Sequence, residues 1–385
     1  MVNRMNEEIA YITSFDPLIY RRPLFARKAL PYMKIYLLQS IVERLKTPGT
    51  ILFKASSKLA KIENRLFISK RMRGDYYFST FLREAIIRAG LNGLNMEAII
   101  SLNPYLASRR LWGNERRIIV DWMDVWMWPW EEMNLLDVKN VEEADAVIFW
   151  SKPMLELGKY RMKLKRCAYI PYGTELSVFD PQKYGNPAYF KEKYELKKHF
   201  ILLYSGGLWR VKGWDLQGTD KMIKAFKLVT KKLENIKLVL QTPRVDVYTM
   251  SLLKDIANKV VIIGAFPNYA SFLRQSMFSA ADIIMAPTSR HPIVYYAERM
   301  KYFEYMAAGK AILAEKSPGA LSALGNAAFY VNLDDLEGMA DAIIELYSNK
   351  DLREKLGFMA YERAKLFDWN NLAPKYRNFI LEVIG

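Results

Sequence analysis

Short apolar runs rich in β-branched residues alternate along this chain with longer stretches whose apolar residues recur every three or four positions. The short runs predict strands at 9–13, 50–54, 66–69, 98–102, 118–121, 146–150 and 167–170. A second series falls at 200–204, 236–240, 260–263, 283–286, 311–314 and 328–331. Helical periodicity covers 76–89, 219–232, 269–279 and 333–347, with a last helix over 367–384. Alternation of this kind folds into parallel sheets covered by helices, the α/β doubly wound class, and two sheets imply two Rossmann-like domains. The stretch 172–186, rich in Gly, Pro, Asp and Asn, marks the boundary. The expected division is 1–181 and 182–366, with 367–385 a terminal helix that could pack back on either domain, the first being the candidate. No repeat of 20–50 residues and no low-complexity tract interrupts the pattern.

Composition narrows the class. Hydrophobic residues make up 51% of the 385 and charged residues 25%, enough for a sizeable core. The net charge of +16 is spread over both halves rather than gathered in a tail, and it attracts anions: nucleic acid, phosphorylated small molecules or an acidic lipid surface. A single cysteine, Cys167, leaves no disulfide framework and points to a reducing, cytoplasmic compartment. The start lacks a signal-peptide core, and no apolar run reaches the ~18 residues of a membrane span. Scarce glutamine beside abundant Lys, Arg, Glu and Ile points to a thermophile.

Candidate chemistry clusters where predicted strands end. In Ser205-Gly206-Gly207-Leu208-Trp209-Arg210-Val211-Lys212-Gly213 a buried strand runs into a glycine turn, then two cations at spacing two, then an amphipathic helix. Gly206 and Gly207 would let backbone approach a phosphate, and Arg210 and Lys212 could stabilise a departing diphosphate without a metal. The same pattern also describes an ordinary strand–turn–helix with exposed cations. In Phe303-Glu304-Tyr305-Met306-Ala307-Ala308-Gly309 a carboxylate with small neighbours can accept two hydrogen bonds from a sugar-like diol; a core helix with a glycine C-cap is the plain alternative. Asp121 through Trp130 carries four tryptophans and two acids, suited to sugar rings and hydroxyls, to a lipid interface, or to simple core packing. Asp124 is the residue expected to face an acceptor. His291 and His199 are the only histidines, and a loop histidine is more often a surface residue than an acid–base group. No metal-ligand spacing, G-x-S-x-G elbow or Walker A sequence occurs, so hydrolase and P-loop readings lose ground.

In order, these stretches resemble the retaining glycosyltransferases of family 4, which have the GT-B fold. Ser205 through Gly213 is similar to that family's strand, glycine turn and Arg-x-Lys-Gly. Ile170 through Pro181 is similar to I-P-N-G-V-D-x-x-x-F-x-P, with Tyr172 in place of Asn. Val141 through Ser151 and Ala281 through Thr288 are similar to its A-D-x-V-I-x-x-S and A-D-I-x-x-x-P-S strands. Lys301 through Gly309 is similar to K-x-F-E-Y-M-A-A-G. The resemblance covers roughly 118–366; residues 1–117 match poorly.

The resemblance implies two Rossmann-like domains facing across a cleft, with the acceptor on the first and a nucleotide-diphosphate sugar mostly on the second. It implies sugar transfer with retention, no metal and no cofactor, to a glycan, lipid-linked or small-molecule acceptor. Arg210 and Lys212 would bind the diphosphate, Glu304 the ribose hydroxyls, and Gly206, Gly207 and Lys301 would complete the donor contacts. The family's second carboxylate, eight positions before Glu304, is here Tyr296, with Glu298 the nearby candidate to replace it. Peripheral attachment to an inner membrane face through basic side chains and tryptophans is a further expectation. A sugar-nucleotide epimerase or a phosphorylase of the same fold is the rival enzyme; a basic nucleic-acid binder without activity is the rival outside enzymes, although no nucleic-acid motif supports it.

Overall fold

The computed structural model describes residues 8–13, 21–46, 48, 50–52, 54–55, 58–59, 78–91, 96–102, 104–123, 135–211 and 214–385. The chain divides into two compact units. The first comprises Met1–Trp150, Met154–Ile170 and Ala373–Gly385, the second Ser151–Pro153 and Pro171–Leu372.

The first unit is built on six parallel strands: β1 (Glu8–Thr13), β2 (Lys34–Leu37), β3 (Met96–Ser101), β4 (Arg117–Trp122), β5 (Ala146–Phe149) and β6 (Cys167–Tyr169). Their order is β2-β1-β3-β4-β5-β6, and every pairing is parallel. The second unit contributes β7 (Phe200–Ser205), a two-stranded antiparallel ribbon β8 (Arg210–Val211) and β9 (Trp214–Asp215), then β10 (Ile236–Gln241), β11 (Val260–Ile263), β12 (Ile283–Ala286), β13 (Ala311–Glu315) and β14 (Phe329–Val331). The large sheet runs β11-β10-β7-β12-β13-β14, again all parallel. Counted within that sheet the order is 3-2-1-4-5-6, the Rossmann order, and it reverses between β7 and β12. In open sheets of this kind ligands collect at the carboxyl ends of the strands flanking the reversal.

Sheets covered on both faces demand continuous apolar strands rather than alternation. Leu202, Leu238, Ile283 and Leu313 sit in one core with Phe226 of the helix Thr219–Thr230 and Ile343 of the helix Leu336–Ser348. All of these are essentially inaccessible.

Two expectations need correction. Thr50, Ile51, Leu52 and Lys54 are helical, not a strand, and Ile51 and Leu52 are exposed. The run was too short to choose by its β-branched residues, and without a sheet to join it takes the local helical state. The strand Lys34–Leu37 escaped notice because an edge strand of four partly exposed residues has no clear period; parallel pairing with Ala10 through Thr13 makes it a strand. The stretch 66–69 lies outside the described residues.

The first unit closes around Asp121, at the end of β4 and fully buried. Its carboxylate accepts from the Arg22 guanidinium at 3.0 Å, Tyr11 Oη at 2.9 Å, Trp150 Nε1 at 2.5 Å and Tyr376 Oη at 3.2 Å. Arg22 also donates to the Ile170 carbonyl and lies over the rings of Phe25 and Trp150. Tyr376, from the terminal helix Trp369–Ile384, thereby joins that segment to the first sheet. Asp121 and Trp150 are thus core groups, as is Trp122, which is buried and packs on Phe149. Removing one member of a buried charge pair strands the other. Asp121→Ala should therefore destabilise the first unit by about 3–5 kcal/mol, read as a shifted urea midpoint by tryptophan fluorescence; an unchanged midpoint would contradict this account.

Candidate functional site

The reversal between β7 and β12 lies inside the second unit, and the residues at those strand ends converge. β7 ends in Ser205, whose Oγ donates to Gln241 Oε1 at 2.6 Å. Gly206 follows at φ 155, where a side chain is strained. A Cβ there would lie 2.5 Å from Lys301 Nζ, so only glycine leaves room for that amine. A Cβ on Gly207 would lie 2.0 Å from Trp209 Nε1. Positive φ and the Lys301 amine together favour glycine at 206, whereas the neighbour of Gly207 is the exposed Trp209 ring, which can move aside.

The helix Met300–Ala307 starts at Arg299 with no side-chain cap, so its first amides are not covered by a side chain of its own N-cap. Tyr305 ties it to β7: its hydroxyl donates to the Ser205 carbonyl at 2.7 Å and accepts the Ser205 N–H at 3.2 Å. Burial raises that phenol above its ordinary range, as it does Tyr204. Lys301, in the first turn, donates to Tyr204 Oη at 3.0 Å and Gln217 Oε1 at 2.9 Å. Burial of the amine, and then the Arg299 guanidinium, push Lys301 well below the usual lysine range. Arg299 itself donates to Gln217 Oε1 and to the Pro287 carbonyl.

Glu304, one turn on, forms a 2.7 Å ion pair with Arg274. Arg274 is held in an aromatic box: its guanidinium lies over Phe179 at 4.8 Å, Tyr269 at 5.0 Å and Phe278 at 5.2 Å, and it donates to the Tyr269 carbonyl. The pair is mostly buried, so screening is weak and the carboxylate is fixed in direction. Gly309 ends the segment at φ 62, the expected glycine C-cap, and β13 follows.

The two cations of the glycine-turn segment cannot be treated alike. Arg210 is engaged on both sides: Nη1 donates to Asp220 at 2.8 Å, Nε to Asp246 at 2.9 Å, and its plane lies 4.4 Å from the Tyr248 ring. The Asp220 hydrogen bond, above all, raises its pKa. Lys212, Gly213 and Asp124 lie outside the described residues. The start of the helix Thr219–Thr230 is already occupied, because Asp215 accepts from the amides of Gln217, Gly218 and Asp220.

Glu298 is buried, and its Oε1 accepts from the Lys152 amide at 3.0 Å and Ser322 Oγ at 2.6 Å. The Tyr296 carbonyl accepts from Ser151 Oγ. His291 Nδ1 caps the short helix Pro292–Tyr295, and its ring meets Trp214 edge-on at 5.8 Å. Burial pushes the Cys167 thiol up, away from reactivity.

The 172–181 stretch is tied to residues 367–368. A Cβ on Gly173, at φ 65, would lie 2.4 Å from the Phe367 carbonyl; the Thr174 amide donates to that carbonyl, and the Leu176 amide to Asp368. Its Phe179 forms one wall of the Arg274 box. Sequence inspection missed Arg274, Arg299, Tyr204 and Gln217. Their partners are far along the chain, and no spacing rule joins Arg274 to Glu304.

Comparison with known proteins gives this arrangement a class. The chain has the GT-B architecture. It superposes on sucrose-phosphate synthase from Thermosynechococcus elongatus with TM-score 0.71 and 16% identity over 98% of this chain and 99% of that one. A glycosyltransferase from Rickettsia africae gives TM-score 0.72 and 17% identity, covering 98% and 99%. Anabaena HepE in complex with UDP-glucose gives 0.69 and 10%, covering 97% and 99%. Identities this low establish the fold alone. No curated protein matches the sequence. Residues 199–349 match the family model of glycosyl transferases group 1.

Arg274→Ala would leave Glu304 without its partner and empty the aromatic box. The expected loss is about 1.5–3 kcal/mol, measured by thermal melting, with Arg274→Lys recovering only part because a point charge does not stack as a guanidinium does.

Proposed function

We propose that the protein transfers a sugar from a nucleotide-diphosphate sugar to an acceptor, with retention at the anomeric carbon and without a metal. The observation that carries the reading is the placement of Gly206, Gly207 and a direction-fixed Glu304 at the strand reversal of a group 1 glycosyltransferase segment. One Glu304 oxygen is held by Arg274, and the carboxylate is suited to accept from a vicinal diol such as a ribose. The glycine turn is suited to backbone approach by phosphate. Support for a nucleotide sugar as donor comes from the fold shared with HepE, whose structures hold UDP, UDP-glucose, or UDP and glucose. Leaving-group charge would be met by cations and backbone amides rather than by a carboxylate dyad.

The purified protein incubated with UDP-, GDP- and ADP-sugars in EDTA should release the nucleoside diphosphate from one of them, faster when acceptor is supplied, and the product should keep the donor's anomeric configuration by NMR. Consumption of none of these donors, with or without added divalent metal, would sink the reading. An activity that needs no acceptor and returns an epimerised donor would favour the epimerase. Lys212→Ala should lower turnover by about 10²–10³ with the melting temperature unchanged; a fully active Lys212→Ala enzyme would remove that residue from the chemistry. Glu304→Ala should raise the donor KM by roughly tenfold, about 1.4 kcal/mol, checked by initial rates at varied donor concentration.

A further inference from the structure

We propose that Lys301 carries the cation that receives the donor's diphosphate, a role that the surroundings of Arg210 prevent Arg210 from filling. This assignment rests on the donor reading above. The two cations have opposite surroundings. Arg210 is paired with Asp220 and Asp246 and stacked on Tyr248, so its charge is already neutralised and its fork already used. Lys301 has no carboxylate within ion-pair distance among the described residues. Two of its N–H groups go to neutral oxygens, on Tyr204 and Gln217, and the third has no acceptor among the described residues. The carboxylates of Glu304 and Asp215 act on this amine only from beyond ion-pair distance, so an anion that arrives in contact with it completes its pairing.

Its position says which anion. The amine stands against Gly206, at the carboxyl end of β7 and beside the strand reversal, where an α/β sheet of this order takes the phosphates of a nucleotide. The missing side chain of Gly206 is the space it occupies. Glu304 lies three residues on, on the same face of the helix, so a diol at Glu304 and a phosphate at Lys301 are contacts that one nucleotide can make together. Burial and Arg299 favour the neutral amine against the weaker pull of Glu304 and Asp215; a diphosphate in contact with it favours the ammonium.

The test compares wild type with Lys301→Met, which keeps the aliphatic stem and removes the charge. Affinities for UDP, GDP and ADP and for uridine, guanosine and adenosine are measured by calorimetry, with thermal melting as a check on folding. The diphosphate that binds wild type should bind Lys301→Met roughly 10- to 100-fold more weakly, while the matching nucleoside binds both alike. Equal affinity for the diphosphate, or an equal loss for diphosphate and nucleoside, would overturn the assignment while leaving the donor reading in place. If wild type binds none of the diphosphates, the donor reading fails and the assignment with it. Should Lys301→Met melt too early to measure, Lys301→Gln, which can still donate to Tyr204 or Gln217, replaces it under the same criteria.

Discussion

The carboxyl edge of the second sheet depends on one missing side chain. Gly206 follows β7 with no Cβ, and the Lys301 amine fills the space that a Cβ would need. From there the constraints propagate. Lys301 reaches Tyr204 and Gln217, Gln217 reaches Arg299, and Tyr305 of the same helix grips both backbone polar groups of Ser205. A bulkier residue at 206 would strain the turn and displace the Lys301 amine. The glycine's contribution is the room it leaves, more than the flexibility usually credited to it.

A second chain of dependence begins far away in sequence. The 172–181 stretch is tied down against 367–369, and that anchoring holds Phe179 in place. Phe179 walls the Arg274 guanidinium, and Arg274 aims Glu304. The segment that looked like an inter-domain linker is in this sense part of the support for the carboxylate at the site. Neutral aromatic faces suit that role, because they attract the guanidinium without competing for the hydrogen bond that Glu304 needs.

The first unit shows the same logic with a different outcome. The acid and tryptophan run at the end of β4 looked like a sugar-facing patch. Of that run Asp121 and Trp122 turn inward, because an arginine and two tyrosines from three other parts of the chain meet the carboxylate and satisfy it, while 124–130 lie outside the described residues. A buried acid with four donors is a structural centre. Nothing in the local sequence distinguishes that case from an acid facing a ligand, since the distinction lies in residues 11, 22 and 376.

Most of the fold was legible in the sequence. Doubly buried strands must be continuously apolar, and runs such as Phe200–Ser205 and Ile283–Ala286 announce themselves whatever surrounds them. The glycine turn and the cap at Gly309 were legible too, because a positive φ and helix capping each restrict residue type locally. The edge strand Lys34–Leu37 and the helical state near residue 51 were not, since a partner strand, or its absence, decides a short ambiguous run. Only the tertiary structure decided which of Arg210 and Lys301 is ion-paired. Arg210 and Lys301 are equal as letters, but an ion pair is made across space, and it was the fold that brought two carboxylates to one and neutral oxygens to the other.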